Sequence, residues 1–270
     1  MQIPSIVPMA AATLLLLYAA FRVGFWYRQG KKMQTPGYLP PPPTFFGRLF
    51  LKGACRLAAF IGVGPLKIRG RENARYDGTL LIAPNHQFEL DFTVVGSSLP
   101  FTFRQLASAA EVRGLRALPA AWTGHFAVHV EHGKAQKGEG SGNAVVEACA
   151  NVLKRVGAKL LMFPQGYLDR ANELKAEDFR TGAVRSLQLA ATMCDPSTLA
   201  VLPMGVHYRR TPGGLLTKLS TRHLFGATNR GANVVIGKPI PYTSLPQDPR
   251  EATEVIRLEI AKLVEQAKGL

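Results

Sequence analysis

Acidic residues are scarce in this chain. Asp and Glu number 18 against 33 Lys and Arg in 270 residues, leaving a formal net charge of +15. An imbalance of that size points to an anionic partner, which can be nucleic acid, an anionic bilayer surface or an acidic small molecule. The first finds no support, because zinc-knuckle spacing, an aromatic RNA-binding signature and a basic heptad region are all missing. Cysteine is also rare. Cys55, Cys149 and Cys194 are odd in number, far apart and set in apolar segments, which excludes a disulfide framework and reads as reduced core thiols. No internal repeat is present. No Lys or Arg precedes the first apolar run, so the basic leader of a cleaved signal peptide is lacking. Length and composition, 47% hydrophobic, fit one catalytic-sized domain with an appendage.

What is present begins with that run. Ile6 to Phe21 is apolar, and Val23, Phe25, Trp26 and Tyr27 extend it past Arg22, which can snorkel. Arg28, Lys31 and Lys32 follow, so the positive-inside rule predicts a membrane anchor over 1–36 with the remainder facing the cytoplasm. The anchor is either a single span or, because Pro4, Pro8 and Arg22 shorten the stretch, a monotopic insertion. Residues 37–64 then combine an extended connector, Pro40 to Pro43, with an amphipathic basic helix from Thr44 to Ile61. Its Phe45, Phe46, Leu49, Phe50, Leu57 and Phe60 beside Arg48, Lys52 and Arg56 suit anionic membrane lipids, or a face packed on the domain.

Downstream, short apolar runs alternate with helical periodicity. Strands are expected at Thr79–Pro84, Thr102–Leu106, His125–Val130, Lys159–Phe163, Leu199–Met204 and Asn233–Ile236. Helices are expected after His86, over Glu111–Ala120, Ala144–Arg155, Asp178–Met193 and Pro249–Ala267, the last capped by Asp248. Lys134–Asn143 and Thr211–Gly231 read as loops. The pattern is α/β: a mixed central sheet flanked by helices, with a domain over 65–245 and a C-terminal helix over 246–270 packing on it.

The densest chemistry lies in Asn85-His86-Gln87-Phe88-Glu89-Leu90-Asp91, where an apolar strand ends. If Asp91 opens the following helix, its carboxylate can hold the Nδ1 proton of His86 and leave Nε2 free to accept a proton from a hydroxyl. The same spacing also suits a helix cap and an ordinary first-turn acid. His125, His129 and His132 would share one face of a helix, but the segment reads as a strand and turn with only Glu131 beside it, which argues against a metal. His207 and His223 have no recognisable partners.

Four further segments, in order, give the chain a resemblance to the glycerolipid acyltransferase family typified by lysophosphatidate acyltransferases. The family's Asn-His-x-x-x-x-Asp block is matched at Asn85, His86 and Asp91. Gly124 to Val130, Phe163-Pro164-Gln165-Gly166 and Val201-Leu202-Pro203 resemble its second, third and fourth blocks, and Phe179 to Ala183 and Ile236 to Ile240 resemble their flanks. The resemblance implies acyl transfer from acyl-CoA or acyl-ACP to a lysolipid hydroxyl, with no cofactor or metal; the alternative is a catalytically silent, membrane-anchored relative that binds acyl thioesters or lipids. His86 would be the base and Asp91 its orienter. Asn85, Gln165, Gly166, Arg170 and Arg180 would bind substrate, with backbone N–H groups near Gly166 available for the oxyanion. The chain departs from the family where the second block usually ends in Arg and the third usually reads Glu-Gly-Thr-Arg. It has Val130, then Gln165, Gly166, Tyr167 and Leu168. Without those arginines a phosphate monoester loses bidentate partners, so Arg170, Lys175 or Arg180 must substitute, or the acceptor carries a blocked phosphate, an amine or no phosphate.

Overall fold

The computed structural model describes the chain apart from residues 1–5, 129, 132–133, 136–140 and 210–230. Its side chains are described apart, additionally, from 6–11, 130–131, 134–135 and 141. The expected loop at Thr211–Gly231 therefore lies almost wholly outside the described residues, as do His129, His132 and His223.

In chain order the elements are α1 (Ile6–Lys32), α2 (Phe45–Gly62), β1 (Leu66–Arg69), β2 (Thr79–Pro84), α3 (Asp91–Ser98), β3 (Arg104–Ser108), α4 (Ala117–Trp122), β4 (Phe126–Val128), β5 (Val130–Glu131), β6 (Lys134–Ala135), α5 (Ser141–Leu153), β7 (Lys159–Leu161), α6 (Gly182–Ala191), β8 (Leu199–Tyr208), β9 (Ala232–Ile236), β10 (Ile240–Pro241) and α7 (Pro249–Lys268). The main sheet runs β1-β9-β8-β2-β7-β3-β4, with β10 beside β8. Its pairings are parallel except β8 with β9 and β8 with β10, so the sheet is mixed as the sequence pattern predicts.

Period-two alternation in β8 shows why the sheet is covered on both faces. Leu199 and Val201 pack with Leu81, Leu153, Leu187, Ile256 and Ile260, beneath α5, α6 and α7. Ala200, Leu202, Met204, Val206 and Tyr208 face the opposite way, with Ile82, Phe88, Val94 and Val95 of the α3 side. On that side α2 lays its stripe of Gly47, Leu51, Cys55 and Ala59 against the domain, and Gly96 of α3 meets Cys55 so closely that an added Cβ would lie 2.6 Å from its sulfur. Asp248 caps α7 by accepting from the N–H groups of Arg250 and Glu251.

Several expectations are corrected. Over Glu111–Ala120 the chain makes only a short 3-10 turn and then α4, because Gly114 takes a left-handed φ of +61° that interrupts the helical run. The helix expected from Asp178 starts at Gly182, since Phe179 is extended and buried and Arg180 N–H donates to Pro164 O. Lys134–Asn143 contributes β6 and the start of α5. Lys52 does not turn to lipid. Its ammonium donates to the carbonyls of Gly96 and Leu99 at the end of α3, and partial burial lowers its pKa to about 8.

The single N-terminal span is not supported either: among the described residues no helix is long and apolar enough to cross a membrane. α1 forms, but its second half is a wall of the domain. Trp26 and Met33 are buried with Ala121 of α4, and Gly30 touches Ala117 with no room for a Cβ. That leaves the Ile6–Phe21 run, about 16 residues or roughly 24 Å of helix, short of the roughly 30 Å of a bilayer core. Leu14 to Tyr18 and Phe21 are exposed on it, as is Val23 just beyond.

Candidate active site

β2 ends at Pro84, and the six residues before α3 are pinned at each step. Asn85 stands in for a strand pairing with β8: its Oδ1 accepts from Val206 N–H at 2.7 Å and its Nδ2 donates to Val206 O at 2.9 Å. Nδ2 also reaches Asn172 Oδ1 at 2.8 Å. The next backbone unit is clamped by the loop after β7. His86 N–H donates to Gln165 Oε1 at 2.8 Å, and His86 O accepts from Asp169 N–H at 2.8 Å.

The His86 ring stacks on Phe163, centroid to centroid 3.8 Å, and its Nδ1 lies 2.9 Å from Asp91 Oδ2. The same carboxylate oxygen accepts Gln87 N–H at 2.6 Å and Phe88 N–H at 2.9 Å. Oδ1 accepts the Tyr208 hydroxyl at 2.5 Å. Asp91 is 1% exposed, so these donors, and not water, satisfy it. An oxygen surrounded by donors accepts a hydrogen bond from Nδ1–H, which keeps the proton on Nδ1 and leaves the Nε2 lone pair as the ring's basic edge. His86 itself is 20% exposed. Tyr208 is fully buried with Phe88 edge-on at 4.7 Å, and burial beside Asp91 holds its phenol well above the usual range.

Gln165 departs from the family pattern for a reason visible here. Its Nε2 donates to Asp169 Oδ2 at 3.2 Å, while Asp169 also accepts the N–H groups of Asn172 and Leu174. A glutamate at 165 would set two carboxylates side by side in a buried site; the amide instead bridges His86 N–H and Asp169.

Gly166 turns the chain with φ +72°, a conformation that strains any side chain. Its own N–H is spent on Phe163 O at 3.0 Å, whereas the N–H groups of Tyr167 and Leu168, next along the turn, are bonded to none of the described residues. Of the three substitute cations, Arg170 pairs with Glu89 at 2.7 Å and Lys175 with Glu173 at 2.6 Å. Arg180 is exposed, lies beside Gly166, and forms no ion pair among the described residues.

His86 opens onto a cavity of about 800 Å³ between the sheet and α2, α3 and α4. Phe50, Phe92, Ala107, Pro119, Phe163 and Leu168 make much of its wall apolar. Among the described residues no three of His, Cys, Asp and Glu come together as a metal site. His207 lies on β8, half-buried, its pKa lowered by burial and by Lys268.

Residues 65–207 match the family model described as Acyltransferase, more than half of the chain. The chain belongs to the acyltransferase family. The fold of this acyltransferase is similar to the crystal structure of the 1-acyl-sn-glycerophosphate (LPA) acyltransferase, PlsC, from Thermotoga maritima. The TM-score is 0.52 at 14% identity, covering 94% of this chain and 90% of that one. No curated protein sequence matches it.

The site gathers Asn85, His86, Asp91, Gln165 and Gly166 in one place, with Arg170 and Arg180 at its rim. Sequence reasoning missed Tyr208, Asp169 and Asn172. The first follows β8 beyond its legible apolar part, and the others sit in an irregular loop whose only signal was a cluster of polar residues.

Proposed function

We propose that this acyltransferase moves a fatty acyl group from an acyl-CoA or acyl-ACP thioester to the hydroxyl of a lysolipid. The observation that carries this reading is the basic edge of His86, backed by Asp91, at the mouth of a large and mainly apolar cavity. In this mechanism the acceptor hydroxyl attacks the thioester carbonyl carbon while His86 Nε2 takes its proton. Asp91 steadies the imidazolium that results. Tyr167 and Leu168 N–H, left without partners among the described residues, are the backbone donors assigned to the oxyanion in this reading. Collapse of the tetrahedral adduct breaks the C–S bond, and His86 returns the proton to sulfur, giving an ester and a thiol.

Gln165 acts through the His86 backbone and not on substrate, Asn85 fixes the loop to β8, and Gly166 shapes the turn. Arg180 is the side chain available to an acceptor phosphate; Arg170 must first leave Glu89. With Leu168 on the cavity wall where the family usually carries Arg, the acceptor is a lysolipid whose phosphate is esterified or absent as readily as lysophosphatidate.

The protein meets the membrane as a monotopic guest. Phe45, Phe46, Leu49, Leu57 and Phe60 on α2 and the exposed leucines of α1 form the apolar contact, and Arg48 and Arg56 favour anionic lipid. The test is release of free thiol from acyl-CoA in the presence of a lysolipid panel, with the acylated product weighed by mass spectrometry. Product with lysophosphatidylcholine or lysophosphatidylethanolamine at rates near those with lysophosphatidate supports the reading. No acylated product with any lysolipid overturns it.

A further inference from the structure

The floor of the cavity is not apolar. Gln105 on β3 and His125 just ahead of β4 are neighbours, because these strands run parallel with Leu106 opposite Phe126. Thr123, at the end of α4, closes the group. All three line the cavity and are only 8%, 7% and 4% exposed. Gln105 Oε1 is buried without a hydrogen-bond partner among the described residues. Thr123 directs its hydroxyl proton to Pro119 O at 2.8 Å or Ala120 O at 3.1 Å, so its oxygen can only accept from His125 Nδ1 at 3.1 Å. That fixes the Nδ1–H tautomer and leaves His125 Nε2 an acceptor with nothing bonded to it among the described residues. Burial pushes the ring down to about 4, so it remains neutral. Native interiors rarely leave such groups unbonded unless they have a use.

The chemistry of the floor selects a neutral group that both donates and accepts. Arg104, the cation whose charge bears on His125, spends its guanidinium on the carbonyls of Gly124 and Pro40, and Arg116 stands at the exposed rim paired with Glu111, so a carboxylate finds no partner at the floor. Glu89 and Glu111, the carboxylates lining the cavity, are exposed and paired with Arg170 and Arg116, so a cation finds none at the floor either. We propose that the floor binds a hydroxyl carried on the acyl chain, which donates to His125 Nε2 and accepts from the Gln105 amide. This rests on the acyl-transfer reading above and names the class of acyl donor. β3 lies two strands from β2, roughly 10 Å across the sheet from the strand that carries His86. The hydroxyl therefore sits well along the chain and not beside the thioester carbonyl.

The experiment measures kcat/KM for stearoyl-CoA and for a series of hydroxystearoyl-CoA isomers whose hydroxyl moves from next to the carbonyl to mid-chain, with mixed lysophospholipids as acceptor. A mid-chain isomer should exceed stearoyl-CoA by about tenfold, as expected for one regained pair of hydrogen bonds. Gln105→Leu removes an unbonded amide and so should fold; its preference should invert toward the plain chain. His125→Phe should lose the preference as well. Wild-type enzyme that turns over stearoyl-CoA as well as every isomer overturns the inference and leaves acyl transfer standing, as does a preference that survives Gln105→Leu. No turnover of any thioester removes the acyl-transfer reading and this inference with it.

Discussion

Replacing Tyr208 by Phe deletes a single oxygen and asks whether Asp91 depends on a donor more than a hundred residues away in sequence. The hydroxyl is the partner of Oδ1 at 2.5 Å, and at 1% exposure Asp91 has no water to replace it. A hydrogen bond to a charged group contributes about 1.5–3 kcal/mol, and a buried oxygen left unbonded falls in that range. At about 2–4 °C per kcal/mol for a domain of this size, a loss of about 2 kcal/mol lowers Tm by about 4–8 °C. The effect on turnover should be smaller. Oδ2 keeps His86 Nδ1 and the N–H groups of Gln87 and Phe88, so the ring stays oriented while the carboxylate loses one of its two fixed oxygens. We expect kcat to fall about tenfold or less, about 1.4 kcal/mol of barrier, with KM unchanged. Calorimetry and thiol release on the same preparation read both quantities. A variant within about 1 °C of wild type and equally active would refute the four-donor account of Asp91.

Three further outcomes follow from the same geometry. Gln165→Glu places a second carboxylate against buried Asp169 and should destabilise by about 2–3 kcal/mol with reduced kcat, and Asp169→Asn in the same chain should restore most of both; an unaffected single variant contradicts the bridging role. His125 has a folded pKa of about 4 against an ordinary 6.5, so the unfolded chain binds the extra proton between those values. Stability is then complete above about 6.5 and falls by about 3 kcal/mol as pH drops toward 4, an acid slope that His125→Gln should flatten and that His207 shares in direction. Phe46→Ser with Phe60→Ser alters side chains that are mostly exposed, so Tm should hold while binding to anionic vesicles weakens by at least about tenfold; undiminished sedimentation with vesicles would exclude this face of α2 as the membrane contact.

How much of this was legible in sequence depended on whether the signal was local. β2, β9 and α7 read clearly because their apolar period and caps lie within the segment. α4 and the start of α6 were over-read, since an apolar run continues through Gly114 and Phe179 while the backbone does not. The single span was over-read for a related reason: hydropathy alone does not reveal that Trp26 and Met33 pack on α4. At the site, His86 and Asp91 were visible because they stand five positions apart in one turn. Tyr208 was not, because what brings it to Asp91 is the register of β2 against β8, Pro84 opposite Met204, which no spacing encodes. Gln165 is legible in sequence only as a departure from the family, because Asp169 reaches its amide through the fold of an irregular loop.

The most direct test of the central claim is turnover by His86→Ala, purified free of host acyltransferases and verified to be folded by its circular dichroism. With acyl-CoA and the best lysolipid of the panel, thiol release should fall to the uncatalysed rate while vesicle binding is retained. Turnover at the wild-type rate would mean that His86 is not the base and that the chemistry lies elsewhere.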